Sequence, residues 1–308
     1  MKAHLLIFAA VLLVPCWTKP TKPKPGASAS KAGASASKAG ASASKAGASA
    51  SKAGASASKA GASASKAGPS ASQNLDPITL DMAPESVDAD YRDCPDDMET
   101  QVENKYFKNE NVGDFARYWS HQTITECLNK GNNVLTKNQR QAICLYTSKY
   151  MAEVFNKAVR TSKNIYGSSF KFHYLHYWLT TAIQKLNKIQ KTTDCPITYR
   201  RSKHIFTGKE KDTIRFGEFA SSSTRPDLTK YGSETCFKIT TCSGASVGDY
   251  SIYPKEKEVI IPPYETFNIT STNGKRQGAL SDCQKLYVLK SAGEQSELKC
   301  KLVRQSES

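Results

Sequence analysis

DYSIYPKEKEVIIPP, residues 249–263, is the stretch on which the reading of this chain turns. Its centre, Glu256-Lys257-Glu258, runs straight into Val259-Ile260-Ile261 and stops at Pro262-Pro263. A short β-branched run closed by proline reads as a buried strand, because branched side chains suit a pleated surface and proline cannot donate to a ladder. Carboxylates two residues apart, Glu256 and Glu258, should then share one face of the strand. Like charges this close repel, and one of them tends to have its pKa raised. A charge run of this kind is most often a solvated strand edge. What lies upstream decides against that reading.

Strand-like text surrounds this stretch from Cys195 onward, at 197–201, 213–221, 236–241, 249–253, 258–261, 266–271 and 285–291. The text before Cys195 is helical. Over 136–162, Ile143, Tyr146, Tyr150, Val154 and Ala158 recur at spacings of three and four, with Thr136 as N-cap. Over 172–189, Phe172, Leu175, Trp178, Leu179, Ala182, Ile183 and Leu186 do the same. Such stripes are core. His173 and His176 lie three apart on that helix without an acidic neighbour in sequence, so they read as core and no metal is expected. Helices first and strands second predicts an α+β fold, one domain over 75–303, with helices packed on a mixed or antiparallel β core.

The formal charge of +15 misleads, because residues 1–72 hold ten lysines and no Arg, Asp or Glu, leaving +5 for the rest. A nucleic-acid reading would rest on that tail alone, and no specific nucleic-acid partner is expected. Residues 1–17 read as a secretory leader: Lys2, an apolar run over 5–14 too short to span a bilayer, then small residues. With no further apolar stretch and a polar C-terminus, neither a membrane span nor a GPI signal is expected. Residues 18–74 read as a disordered linker, Lys/Pro-rich and then a Lys-Ala-Gly-Ala-Ser-Ala-Ser repeat with Lys at 31, 38, 45, 52, 59 and 66. Only Ala could fill a heptad seam there, too little to offset backbone entropy. Contact with anionic glycans or surfaces is its functional option. Without Cys16, eight cysteines remain at 94, 127, 144, 195, 236, 242, 283 and 300, an even number that predicts up to four disulfides in an oxidising compartment. Asn268-Ile269-Thr270 is a glycosylation sequon.

Three pieces complete the argument: Cys195-Pro196-Ile197-Thr198-Tyr199-Arg200; Phe216-Gly217-Glu218-Phe219-Ala220-Ser221-Ser222-Ser223; and Glu256-Lys257-Glu258. Arg, Ser and Glu in this order on successive strands, with Thr241-Cys242-Ser243-Gly244-Ala245 between the last two, resemble the arginine-specific vertebrate ecto mono-ADP-ribosyltransferases. The resemblance covers about residues 90–291 and implies an extracellular enzyme that transfers ADP-ribose from NAD to arginine side chains of proteins, releasing nicotinamide. It implies Glu258 beneath the nicotinamide ribose, Glu256 on the incoming guanidinium, Arg200 on the diphosphate, Ser221 orienting the ribose, and Tyr146 and Ser251 lining the cofactor pocket. NAD is then a substrate, no metal takes part, and a monomer is expected. The chemistry suits these residue types: glycosidic cleavage passes through an oxocarbenium-like state, a carboxylate stabilises that charge, and a second carboxylate matches a guanidinium bidentately.

By the same resemblance Cys94 should pair with Cys283 and Cys195 with Cys242, with Cys127, Cys144, Cys236 and Cys300 pairing among themselves. Two residues depart from the family pattern. Arg201 stands where many relatives have Gly and could crowd the site or point away, and Glu218 stands where many have Gln, adding a negative charge. The competing readings are an NAD glycohydrolase, with water as acceptor, and an inactive secreted binding relative.

Overall fold

A computed structural model of the chain describes residues 76–304. The leader expected over 1–17 and the linker expected over 18–74 lie outside the described residues. The helices are α1 (Pro95–Gln101), running through a π-helical turn into α2 (Phe107–Glu110), then α3 (Gly113–Trp119), α4 (Gln122–Cys127), α5 (Lys137–Thr147), α6 (Ala152–Thr161), α7 (His173–Gln190) and a last turn, α8 (Lys301–Arg304). The strands are β1 (Ile78–Thr79), β2 (Ile197–Ser202), β3 (Phe206–Thr207), β4 (Thr213–Arg215), β5 (Ala220–Ser223), β6 (Thr235–Thr240), β7 (Ala245–Ser246), β8 (Glu258–Ile261), β9 (Glu265–Ser271) and β10 (Lys285–Glu294). Eight of them form one sheet in the order β4-β9-β10-β6-β2-β5-β8-β7, and β1 pairs with β3 separately. The β10–β6 pair is parallel and the other pairs of the large sheet are antiparallel, so the sheet is mixed and the fold is α+β as expected.

The strand read at 258–261 is β8, and every residue of it is buried. Its alternation divides it between two cores. Ile260 packs into the large helical cluster with Leu175, Leu179 and Phe219, whereas Ile261 joins Phe237, Phe267, Tyr287 and Leu289 in a cluster built within the sheet. Burial of each such side chain contributes about 2 kcal/mol.

Several expectations need correction. The single helix over 136–162 is two, α5 and α6. Thr136 caps α5 in a capping box with Gln139, as its sequence suggests. The helix then breaks at 148–151, where Lys149 has φ +68°. The break resets the phase of the stripe: Tyr150 and Val154 are 41% and 57% exposed, and Phe155 and Val159 are buried in their place. The strand expected over 213–221 is also two, β4 and β5. Gly217 separates them with φ +66°, and a Cβ on it would lie 2.4 Å from the Ala83 Cβ, so this turn requires glycine. The break carries the chain from the β4 edge of the sheet to the strands around β2. No strand forms over 249–253; a 3-10 turn, Gly248–Tyr250, inserts Tyr250 among the helices instead.

Of the expected disulfides, Cys195–Cys242 is present, but Cys94 pairs with Cys300 and Cys283 with Cys236, while Cys127 pairs with Cys144. Cys283 precedes β10 and lies beside β6, in a small apolar cluster with Cys236, Leu280 and Leu286. Cys94 begins α1 and reaches the chain's other end, where Cys300 N–H donates to Asp90 O. Asp88, fully buried, reinforces that clamp by accepting from Arg215 and from the Glu297 and Leu298 amides. Asn268 of the sequon is exposed on β9.

Candidate active site

The antiparallel register of β2, β5 and β8 assembles the site. Tyr199 of β2 faces Ser223 of β5, and Ser221 and Ser223 face Ile260 and Glu258 of β8. Arg200, Ser221 and Glu258 therefore lie on three neighbouring strands although 21 residues separate the first two along the chain. They line a cleft of about 430 Å³ together with Tyr146, Lys149, Lys230, Tyr231 and Glu256. A second hollow of about 720 Å³, lined by Asn156, Arg160, Phe216 and Glu218, shares Tyr146, Arg200 and Ser221 with it.

Glu258 is 8% exposed. Burial pushes its pKa up from 4.5 to about 7, the Ser221 hydroxyl counteracts this, and the charge of Glu256 adds to the rise, while Lys149 and Arg200 work against it. The group can thus change its proton near neutrality.

Glu256 lies elsewhere than the sequence suggests. It ends a 3-10 turn, Pro254–Glu256, and Lys257 follows with φ +46°, so β8 begins only at Glu258 and the two carboxylates do not share a strand face. Burial works against the charge of Glu256, but hydrogen bonds from Lys230 (2.6 Å) and Tyr231 and the charge of Lys149 outweigh it and hold its pKa below the usual range. The pair is split electrostatically: one carboxylate stays ionised and the other holds its proton more tightly.

Arg200 donates to Ser221 O at 2.9 Å and to Glu218 at 2.8 Å. Its Nε is buried and has no partner among the described residues. Glu218, also bound by Arg160, is therefore an orienting group for Arg200 rather than a bare negative charge. Arg201 borders the cleft, but its guanidinium is taken up by other partners. Its side chain is 2% exposed and binds Asp282 at 2.9 Å, Pro226 O, Gly232 O and Ala279 O. The alternation of β2 separates these two arginines.

The Tyr146 hydroxyl donates to Phe219 O and accepts from Asn156 at 3.1 Å and from Ser221 at 3.3 Å, which fixes the α5 side of the cleft. Burial raises its pKa, and the charge of Glu218 adds to the effect, so it stays a phenol. Ser251 is fully buried and is not among the residues lining the cleft; its hydroxyl accepts from the Tyr253 amide. The sequence reading missed Lys149, Arg160, Lys230 and Tyr231. Nothing in their local sequence marks them, since distant turns bring them in.

His173 and His176 are core groups. His173 bonds Glu110 and Tyr166 O, and His176 bonds Tyr91 and Val87 O, its pKa lowered to about 3 by burial. Among the described residues no group of three His, Cys, Asp or Glu is placed to hold a metal ion.

The family profile described as NAD:arginine ADP-ribosyltransferase matches residues 80–286. Ecto-ADP-ribosyltransferase 4 of Mus musculus is 35% identical over 243 residues, covering 74% of this chain and 77% of that protein. The erythroblast NAD(P)(+)--arginine ADP-ribosyltransferase of Gallus gallus is 32% identical over 241 residues, with the same coverage, 74% and 77%. The crystal structure of the eucaryotic mono-ADP-ribosyltransferase ART2.2 superposes with a TM-score of 0.61 at 26% identity, covering 73% of this chain and 99% of that one. A mutant of that protein in complex with NAD matches with a TM-score of 0.59 at 27% identity over the same 73% and 99%.

Proposed function

This chain belongs to the NAD:arginine ADP-ribosyltransferase family, and on that premise we propose that it transfers ADP-ribose from NAD to arginine side chains of extracellular proteins and releases nicotinamide. The observation that carries the reading is the meeting of Arg200, Ser221 and the buried carboxyl of Glu258 on adjacent strands at one cleft.

The residues present suit the dinucleotide. The cleft, about 430 Å³, falls within the range of about 300–1,000 Å³ usual for small-molecule sites. The half-buried Arg200 guanidinium offers its charge to the diphosphate, with Lys203 adding positive charge to the wall. Ser221 orients the nicotinamide ribose, and Tyr146 holds Ser221 from behind.

Glu258, ionised, accepts from the ribose 2′-hydroxyl and stabilises positive charge at the anomeric carbon as its bond to nicotinamide breaks, the electron pair leaving with the neutral base. Glu256 grips the acceptor guanidinium and takes the proton it loses as its nitrogen bonds the anomeric carbon. A guanidinium is a weak nucleophile while fully protonated, which is why a second carboxylate is needed. The decisive experiment incubates the protein with labelled NAD and agmatine. A labelled agmatine adduct is expected, and nicotinamide release that ignores agmatine would mean water is the acceptor and overturn the reading.

Residues 1–17 support secretion, which expression in cultured cells tests: the protein should collect in the medium. The lysine-rich 18–74 segment supports contact with anionic glycans. Retention on heparin should then fall when residues 19–72 are deleted, and unchanged retention would exclude that role.

A further inference from the structure

Glu256, the carboxylate assigned to the acceptor, is already engaged. Lys230 Nζ lies 2.6 Å from its Oε1, and the Tyr231 hydroxyl lies 2.8 Å from Oε1 and 2.7 Å from Oε2. Lys149 Nζ stands 3.6 Å from Oε1 and donates to the Tyr231 hydroxyl at 2.6 Å. Both oxygens that a guanidinium fork needs are therefore occupied by groups of the chain itself.

These groups are positioned, not incidental. The 3-10 turn that carries Lys230 and Tyr231, Thr229–Tyr231, ends at Gly232 with φ +118°, where a Cβ would lie 2.5 Å from Lys203 N and from Ser202 C. Only glycine lets the turn lie so close to the end of β2. Arg201 secures the same segment by donating to Pro226 O and Gly232 O. The backbone around Glu256 is held as well: Ser223 Oγ donates to Glu256 O at 2.6 Å, and Arg225 donates to Lys255 O at 3.0 Å. Yet the Lys230 side chain is 60% exposed, so it can swing out to solvent without disturbing the core.

We infer that Lys230, with Tyr231 and Lys149, is an internal stand-in for the acceptor, closing Glu256 with an ammonium until a guanidinium displaces it. The inference rests on the transferase reading above. A guanidinium binds only the open fraction of the site, so its apparent affinity is reduced by that fraction. The device also selects. A planar fork can bond both oxygens at once, whereas a lysine acceptor merely duplicates the ammonium already there.

The test uses Lys230→Met, which keeps the stem and removes the charge at an exposed site, and Tyr231→Phe, which removes one hydroxyl. Agmatine binding is measured by calorimetry, and the agmatine KM in steady state with NAD. An exposed ion pair of ordinary strength predicts a gain in agmatine affinity of about three- to fivefold in Lys230→Met. KM should fall by the same factor, the gain should vanish at saturating agmatine, and Glu256→Gln should abolish it. Unchanged or weaker agmatine binding in both variants overturns the inference. Tighter agmatine binding in the variants, with no adduct formed by any of the proteins, would overturn the transferase reading and leave the stand-in intact. Adduct formation with equal agmatine affinity throughout would do the reverse.

Discussion

Replacing Glu258 by Gln should stabilise the protein while disabling it, with a pH dependence that the structure dictates. Burial leads the rise of the Glu258 pKa from 4.5 to about 7. A carboxyl that holds its proton more tightly folded than unfolded contributes stability that is complete below the unfolded pKa and lost as pH rises through the folded one. The window here runs from about pH 4.5 to about 7. The interval corresponds to about 3 kcal/mol at pH 8, and to less than about 1 kcal/mol at pH 5. Gln copies the shape of the neutral acid and cannot ionise, so Glu258→Gln should gain about 3 kcal/mol over the parent at pH 8 and little at pH 5. Guanidinium unfolding of both proteins at the two pH values, with disulfides intact, measures this. NAD cleavage should fall by about 10²–10³ in the same variant, with or without an acceptor, because the group that meets the developing charge has lost its own. A variant no more stable than the parent at pH 8 would show that Glu258 ionises as an ordinary surface carboxyl, and the assigned electrostatics would be wrong.

Three further outcomes follow from the same site. Since the ionised form of Glu258 is the active one, kcat/KM for NAD should rise about tenfold between pH 6 and pH 8 and level off above, and a flat profile would contradict the raised pKa. Glu256→Gln should lose transfer to arginine by about 100-fold or more while nicotinamide release to water persists; surviving transfer would remove Glu256 from the acceptor role. Arg201→Ala should cost about 2–3 kcal/mol of stability by orphaning Asp282 and three carbonyls, without improving NAD affinity. A lower NAD KM with unchanged stability would mean that the side chain crowds the cleft after all.

The sequence by itself determined the elements whose pattern is local. The β-branched run 259–261 could be buried only as a strand, and the apolar stripe of α7 only as a helix against the core. The order Arg200, Ser221, Glu258 was legible for the same reason: each residue sits in short, recognisable text. Wherever a single residue reset the phase, pattern reading failed. Lys149 and Lys257 take left-handed backbone angles without being glycine, and each ends an extrapolation that composition alone would continue. Tertiary structure alone decided which cysteines meet, since pairing depends on where β10 lies beside β6 and not on spacing along the chain. It also decided the electrostatics. The raised pKa of Glu258 comes from burial, and the lowered one of Glu256 from Lys149, Lys230 and Tyr231, which stand 107, 26 and 25 residues away and become neighbours only through the turns that deliver them. Charge is written in a sequence residue by residue, but the solvent and partners that set its free energy exist only once the chain has folded.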